Sequence, residues 1–308
     1  MGLGRGVHAG IGQLQPAIDD LTLELREFHL FRDLIHRSIG IWLGEHKREL
    51  VRSRLARRLR ALGCGSYREY YDGLTAGSYG QDEWTQMLNA ITTNKTDFYR
   101  EPAHFEFLAR EVLPQHRTAA ARGGPRRLRI WSAGCSSGEE PYTIAITLRE
   151  TLGSLLGWDV RLLASDVDTE VLRRAAAGIY AEERVAEIPR TLLHTYFRRG
   201  TGLYTGQVQV VEELRRLITF RQINLLEEPW PIRATFDCIF CRNVMIYFDK
   251  PTQRRLIGRF ASLLRDGGYL FLGHSESLYG LTEEFAPLHN TINRKRTRQT
   301  QRAAEAVA

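Results

Sequence analysis

The sequence predicts an α/β protein: a doubly wound, Rossmann-like layer with a small antiparallel β insertion, preceded by an all-α N-terminal module. Three observations carry this. The stretch Leu128-Arg129-Ile130-Trp131-Ser132-Ala133-Gly134-Cys135-Ser136-Ser137-Gly138-Glu139-Glu140-Pro141-Tyr142 is an apolar run that breaks into small residues and then enters a helical pattern, so it reads as strand, tight turn and helix. From Leu128 onward such runs alternate with helical patterns. Residues 20–93 show helical periodicity with short breaks and no strand signal.

Residues 1–19 open glycine-rich and without the apolar segment of a signal peptide, and are expected to form a flexible tail. In the helical module, one helix ends near Ile39-Gly40, a second runs from about Glu45 to Leu62 and stops at Gly63, Ser66 caps a short third, and a fourth covers 81–91. Leu50, Val51, Leu55, Leu59 and Leu62 form the apolar stripe of the second helix. Its other faces carry Lys47, Arg48, Arg52, Arg54, Arg57, Arg58 and Arg60. Such a run is either a solvated face or a docking surface for an acidic helix, and arginines suit carboxylate recognition. The polar stretch Thr92-Thr93-Asn94-Lys95-Thr96-Asp97-Phe98-Tyr99-Arg100-Glu101-Pro102 leads into a helix over about 102–120, which Gly123-Gly124-Pro125 separates from the sheet.

The turn after the first strand leaves the main chain bare, so a ligand can approach it closely. It lacks the dinucleotide spacing, and the carboxylates of Glu139 and Glu140 disfavour a pyrophosphate. A ligand with a positive end and no phosphate fits better, and S-adenosylmethionine carries a sulfonium and an ammonium. A second strand, Trp158-Asp159-Val160-Arg161-Leu162-Leu163-Ala164-Ser165-Asp166, ends on an acid where such folds grip ribose hydroxyls, which makes Asp166 the ribose candidate. Asp168 has the chemistry of an N-cap for the next helix. A third buried strand, Thr235-Phe236-Asp237-Cys238-Ile239-Phe240-Cys241, ends at Arg242 and Asn243. These two residues and Tyr247 point to the same crevice.

Glycines and alternating apolar residues over about 200–222 predict the β insertion, whose edge could accept a peptide strand. A helix over 250–264, a turn at Asp266-Gly267-Gly268 and a strand over 269–273 complete the domain. The tail 294–308 is basic, lacks apolar periodicity and is expected to be disordered.

Composition bounds the function. With 308 residues, 43% of them hydrophobic, the chain supports two domains. The absence of a long apolar run argues against membrane insertion and for a cytoplasmic location. A net charge of +7 points to an acidic partner without identifying one. Cys238 and Cys241 lie three apart on one strand, roughly 10 Å apart and on opposite faces, beyond the reach of a disulfide. No Cys or His spacing suggests a metal site.

The strings Thr93-Asn94-Lys95-Thr96-Asp97-Phe98-Tyr99-Arg100, Trp131 to Tyr142, Ala164-Ser165-Asp166-Val167-Asp168-Thr169-Glu170, Phe240-Cys241-Arg242-Asn243-Val244-Met245-Ile246-Tyr247-Phe248-Asp249 and Gly273-His274-Ser275-Glu276-Ser277 occur in order. Over about 21–293 the chain resembles the chemotaxis receptor methyltransferases of the CheR type. That resemblance implies a class I methyltransferase domain over 94–293 that uses S-adenosylmethionine to esterify glutamates on the cytoplasmic helices of chemoreceptors. It implies cofactor contacts from Asn94, Thr96, Arg100, Gly134, Glu140, Asp166, Asn224, Leu225, Arg242 and Asn243, with Arg100 and Tyr247 near the transferred methyl. The helical module, with Arg54, Arg57 and Arg58, then corresponds to a receptor-docking domain, and the β insertion to a subdomain that binds a receptor's carboxyl-terminal peptide in some members. Nothing in the chain demands more than a monomer. A nucleic-acid methyltransferase and a non-enzymatic S-adenosylmethionine-binding scaffold are the alternatives. Base amino-group methylation usually calls for a Pro-Pro-aromatic loop, where this chain reads Arg242-Asn243-Val244-Met245.

Overall fold

A computed structural model describes residues 21–297. The expected N-terminal tail, and the C-terminal tail beyond Thr297, lie outside the described residues. The chain divides into two compact units. Among the described residues the first comprises 21–34 with 43–91, and the second 35–42 with 92–297.

The helices are α1 (Leu25–Ile39), α2 (Arg48–Leu62), α3 (Tyr67–Thr75) and α4 (Gly80–Ile91). Glycine ends α2 as expected: Gly63 takes φ +69°, a left-handed conformation that costs a glycine little. Ser66 caps α3 by accepting a hydrogen bond from Glu69 N at 3.0 Å. Val51, Leu55 and Leu59 bury the stripe of α2, and Tyr67, Tyr70, Met87 and Ile91 join the core of this unit.

The arginine-rich face of α2 is not uniform. Arg58 pairs through Nε with buried Glu83 Oε1 at 2.9 Å and through Nη2 with Oε2, and Tyr70 donates to the same carboxylate at 2.7 Å. Arg54 donates to the carbonyl of Ile91. Arg57 is exposed. Arg58 therefore compensates an internal charge.

The second unit continues with α5 (Ala103–Phe107), a wider turn at Leu108–Val112 and α6 (Leu113–Ala121), which together form the helix expected over 102–120. Then come β1 (Arg127–Ala133), α7 (Glu139–Leu152), β2 (Asp159–Asp166) and α8 (Thr169–Ala177). Asp168 caps α8 by accepting from Glu170 N and Val171 N. There follow β3 (Ile179–Ala181), α9 (Arg190–Tyr196), β4 (Phe197–Arg199), β5 (Gln207–Val210), α10 (Glu212–Arg215) and β6 (Ile218–Gln222). The chain closes with β7 (Phe236–Cys241), α11 (Lys250–Leu263), β8 (Leu264–Leu272), β9 (Phe285–Pro287) and β10 (Ile292–Lys295).

The main sheet has the order β6-β2-β1-β7-β8-β10-β9. β6 through β8 run parallel, and β10 pairs antiparallel with β8 and β9. From β1 the chain moves outward to β2 and then returns across to β7, so the strand order reverses between β1 and β7. In open α/β sheets the crevice outside the carboxyl ends at such a reversal is where ligands bind. All six residues of β7 are buried, as befits a central strand covered on both faces. Cys238 packs into the core on one face of the sheet and Cys241 into the core on the other, and both thiols are free, as the alternation predicts.

The separate sheet has the order β3-β5-β4, antiparallel throughout. The insertion is present, with corrected limits. Its first strand begins at Ile179, where three residues are too few to show a pattern. Residues 218–222 belong instead to the main sheet, with Ala164 of β2 opposite Phe220. The turn expected at 266–268 is an irregularity within β8: Gly267 adopts φ +71° and the register with β7 shifts between Phe236 and Cys238. Arg294, expected in the tail, sits in β10 opposite Tyr269.

Candidate functional site

The strand ends build a single hollow. Gly134 N and Cys135 N both donate to Ser165 O, at 2.8 and 2.9 Å, so the turn after β1 is tied to the end of β2. Ser136 N then donates to Asp166 Oδ2 at 2.8 Å, and Asp168 N to Asp166 Oδ1 at 3.0 Å. Gly134 itself takes φ +87°, and a Cβ there would lie 2.3 Å from Val244 Cγ2, so a glycine is needed where the turn meets the loop after β7.

Outside the carboxyl ends of β1, β2, β6 and β7 lies a cavity of about 950 Å³, including its open mouth. Asn94, Thr96, Arg100, Gly134, Glu140, Asp166, Asn224, Leu225, Arg242, Asn243 and Tyr247 all line it. Every residue the sequence nominated for the cofactor and the methyl is therefore brought to one place. Four residues around it hold positive φ without being glycine: Tyr99 (55°) and Glu101 (58°), which flank Arg100, together with Ser136 (48°) and Asn243 (59°). Such strain gathers where neighbouring structure fixes a functional geometry.

Several of these side chains are committed within the protein. Asn94 donates its side-chain amide to Asp168 Oδ2 at 2.7 Å, while its main-chain carbonyl accepts from Ser136 Oγ at 2.9 Å. Asn224 donates to Ser38 O at 2.8 Å and accepts from Leu226 N at 3.0 Å, which closes the turn after β6 and leaves Leu225 against the cavity. Arg100 donates to Lys95 O at 2.9 Å. The hydroxyl of half-buried Tyr247 makes no hydrogen bond among the described residues.

The electrostatics differ from the reading of Glu139 and Glu140 as a bare anionic pair. Glu139 is buried, turned out of the cavity and paired with Arg184 at 2.7 Å. Glu140 accepts from Ser132 Oγ at 2.6 Å and from Arg242 Nη1 at 2.9 Å. Arg242 also pairs with Glu101 Oε2 at 3.1 Å and donates to Arg100 O. Burial pushes Glu101 up, but Arg242 and the N–H of His274 outweigh it and hold this carboxyl below the usual range. Of the carboxylates lining the cavity, Asp97 pairs with Arg184 and Glu140 with Arg242, while Asp166 pairs with no cation among the described residues. Burial pushes it up to about 6, against the pull of the Asp168 and Ser136 amides.

Ile39, Ile41, Val167, Ile223, Val244 and Phe248 supply an apolar wall that the sequence reading did not single out. Apolar residues at helix and strand ends carry no pattern that separates a pocket wall from ordinary core.

A bare glycine turn, a carboxylate ending the adjacent strand, an apolar wall and no cluster of amides aimed at a phosphate fit an adenosine bearing a cationic amino-acid arm. Fold and site together define a class I, S-adenosylmethionine-dependent methyltransferase. Residues 94–293 match the CheR methyltransferase SAM-binding domain, and residues 26–92 match the CheR methyltransferase all-alpha domain. The chain belongs to the CheR methyltransferase family. It is 50% identical over 254 residues to chemotaxis protein methyltransferase 2 of Pseudomonas aeruginosa, covering 82% of this chain and 86% of that protein. It is 43% identical over 273 residues to the chemotaxis protein methyltransferase of Escherichia coli, covering 88% and 91%.

Proposed function

We infer that this protein transfers the methyl group of S-adenosylmethionine to glutamate side chains of chemoreceptors, forming methyl esters. The convergence of Glu140, Asp166 and Asn243 on one cavity, with Arg100 and Tyr247 in its lining, is the observation that carries this reading. Family membership and the names of the relatives support it. When bound, S-adenosylmethionine supplies a methyl group activated by a sulfonium.

A glutamate acceptor has a reference pKa of about 4.3 and is ionised at neutral pH, so the chain needs no general base. The residues present agree, since no histidine lines the cavity. Asp166 holds the ribose hydroxyls, and Leu225 with the apolar wall receives the adenine. Arg100 orients the acceptor carboxylate or the cofactor's own carboxylate, and the Tyr247 hydroxyl donates beside the methyl. Because opposite charges neutralise towards the transition state, these groups act by holding the partners in line and excluding water. Such positioning contributes roughly 7–11 kcal/mol in well-oriented systems.

The helical unit docks on the receptor's cytoplasmic helices, with Arg57 its exposed arginine among the three nominated. The β3-β5-β4 sheet offers its outer edges to a receptor's carboxyl-terminal peptide. The protein works as a cytoplasmic monomer without nucleic acid. No helix among the described residues is long and apolar enough to cross a membrane. Incubation with tritiated S-adenosylmethionine and receptor-containing membranes is expected to give label that alkali releases as methanol. Alkali-stable label, or label on nucleic acid, would refute the assignment.

A further inference from the structure

The Gly273-His274-Ser275-Glu276-Ser277 string lines no part of the cavity, yet its glutamate is almost wholly buried, at 4% exposure. Among the described residues Glu276 pairs with no cation. Its charge is met by main-chain N–H groups instead: Oε2 accepts from Gly273 N at 2.6 Å and Asn243 N at 2.9 Å, and Oε1 accepts from Ile246 N at 3.2 Å. Oriented amides of this kind act as fixed partial charges on an anion. Two of the three come from the loop after β7, so a single carboxylate ties β8's end to the segment that carries Asn243 and Tyr247.

The packing repeats this tie. A Cβ on Gly273 would lie 2.3 Å from Asn243 Nδ2 and 2.8 Å from Asn243 N, so the two turns meet backbone to backbone. Asn243 takes φ +59°, a left-handed conformation that few residues other than glycine and asparagine adopt readily. Tyr247 is then fixed by short links, its N–H bonded to Val244 O at 3.2 Å.

We propose that Glu276 is a positioning residue for methyl transfer, its buried carboxylate clamping the main chain at 243 and 246 so that Asn243 and Tyr247 present their side chains to the cavity. This rests on the reading that places Tyr247 beside the transferred methyl. Glu276→Gln replaces one acceptor oxygen by an N–H₂ group facing N–H donors, which releases the clamp at almost constant volume.

A double-mutant cycle with the full-length protein tests it. Glu276→Gln and Tyr247→Phe are each expected to lower kcat for methyl transfer to receptor membranes about tenfold. The double variant is expected to lie within twofold of the weaker single, because a misplaced tyrosine has no hydroxyl contribution left to lose. The affinity for S-adenosylhomocysteine, followed by calorimetry, is expected to move less than kcat in Glu276→Gln. Losses that multiply in the double variant would overturn the proposal while leaving Tyr247 in its role, since a merely structural glutamate acts regardless of the hydroxyl. Wild-type turnover in Tyr247→Phe would overturn the placing of Tyr247, and the proposal with it. If Glu276→Gln does not fold, Glu276→Asp, which draws the carboxylate back by one methylene, takes its place in the same cycle with the same outcomes.

Discussion

Replacing Arg242 by methionine is expected to destabilise the second unit by about 3–5 kcal/mol and to abolish methyl transfer. Arg242 is 6% exposed and lies between two carboxylates that are themselves 9% exposed, Glu101 and Glu140. Methionine preserves much of the apolar stem but removes the charge, so both acids are left buried without their cation. The penalty is that of uncompensated desolvation rather than the small net value of an intact pair. The same substitution frees the carbonyl of Arg100, which Arg242 holds, and so loosens a residue placed near the methyl. The sign of the pH response follows. Stripped of Arg242, the burial that pushes Glu101 up is no longer offset by that cation, so the deficit is largest at neutral pH and shrinks as acid protonates this carboxylate. Urea titration followed by tryptophan fluorescence, at pH 7.5 and pH 5.5, checks both points. A midpoint equal to wild type at pH 7.5 would contradict the account.

The second large effect is on binding. Gly134→Val is expected to weaken S-adenosylhomocysteine about a hundredfold or more, roughly 2.8 kcal/mol. Gly134 is held at φ +87°, a region that β-branched residues avoid. Its Cβ would also lie 2.3 Å from Val244 Cγ2, and Val244 lines the cavity. The turn after β1 and the loop after β7 must therefore separate, or the turn must change conformation and release its bonds to Ser165. Either response displaces wall on both sides of the ligand. Calorimetric titration reads the loss directly, and an affinity within threefold of wild type would mean that the glycine turn is not part of the ligand site.

How much of this was legible beforehand depended on the range of the interactions concerned. The ends of β1, β2 and β7 could be read because a buried parallel strand writes a continuous apolar run, and a polar residue closing that run marks the sheet edge where ligands sit. Asp166, Arg242 and Asn243 follow from that rule alone. Asn94, Thr96 and Asn224 came only through family resemblance, since isolated polar residues in loops carry no local signal. The structure shows two of them, Asn94 and Asn224, spending their amides on Asp168 and Ser38.

Charge partners were the least legible. Glu139 and Glu140 looked like a bare acidic pair because their cations, Arg184 and Arg242, lie 45 and 102 residues further along the chain. The partner of Arg58 was hidden for the same reason, Glu83 being 25 residues away on another helix. The insertion's limits were misplaced because three-residue strands such as β3 are too short for alternation to register, while β6 follows a glycine-bounded pattern that hides its return to the main sheet. The break at Gly267 was read as a turn, although a glycine inside a strand also marks a bulge, which is what β8 contains.

The central claim is that the cavity at the strand ends holds S-adenosylmethionine with Asp166 on its ribose. Hydroxyls donate more strongly to a carboxylate than to a neutral carboxyl, and burial pushes Asp166 up to about 6, so affinity should be constant above pH 7 and fall as acid protonates it. Calorimetric titration of S-adenosylhomocysteine between pH 5 and pH 8, with wild-type protein and Asp166→Asn, measures this. The account predicts a wild-type dissociation constant that rises about tenfold from pH 7 to pH 5, and an Asp166→Asn value that is weaker at pH 8 and nearly flat with pH. Equal, pH-independent affinities in the two proteins would contradict it.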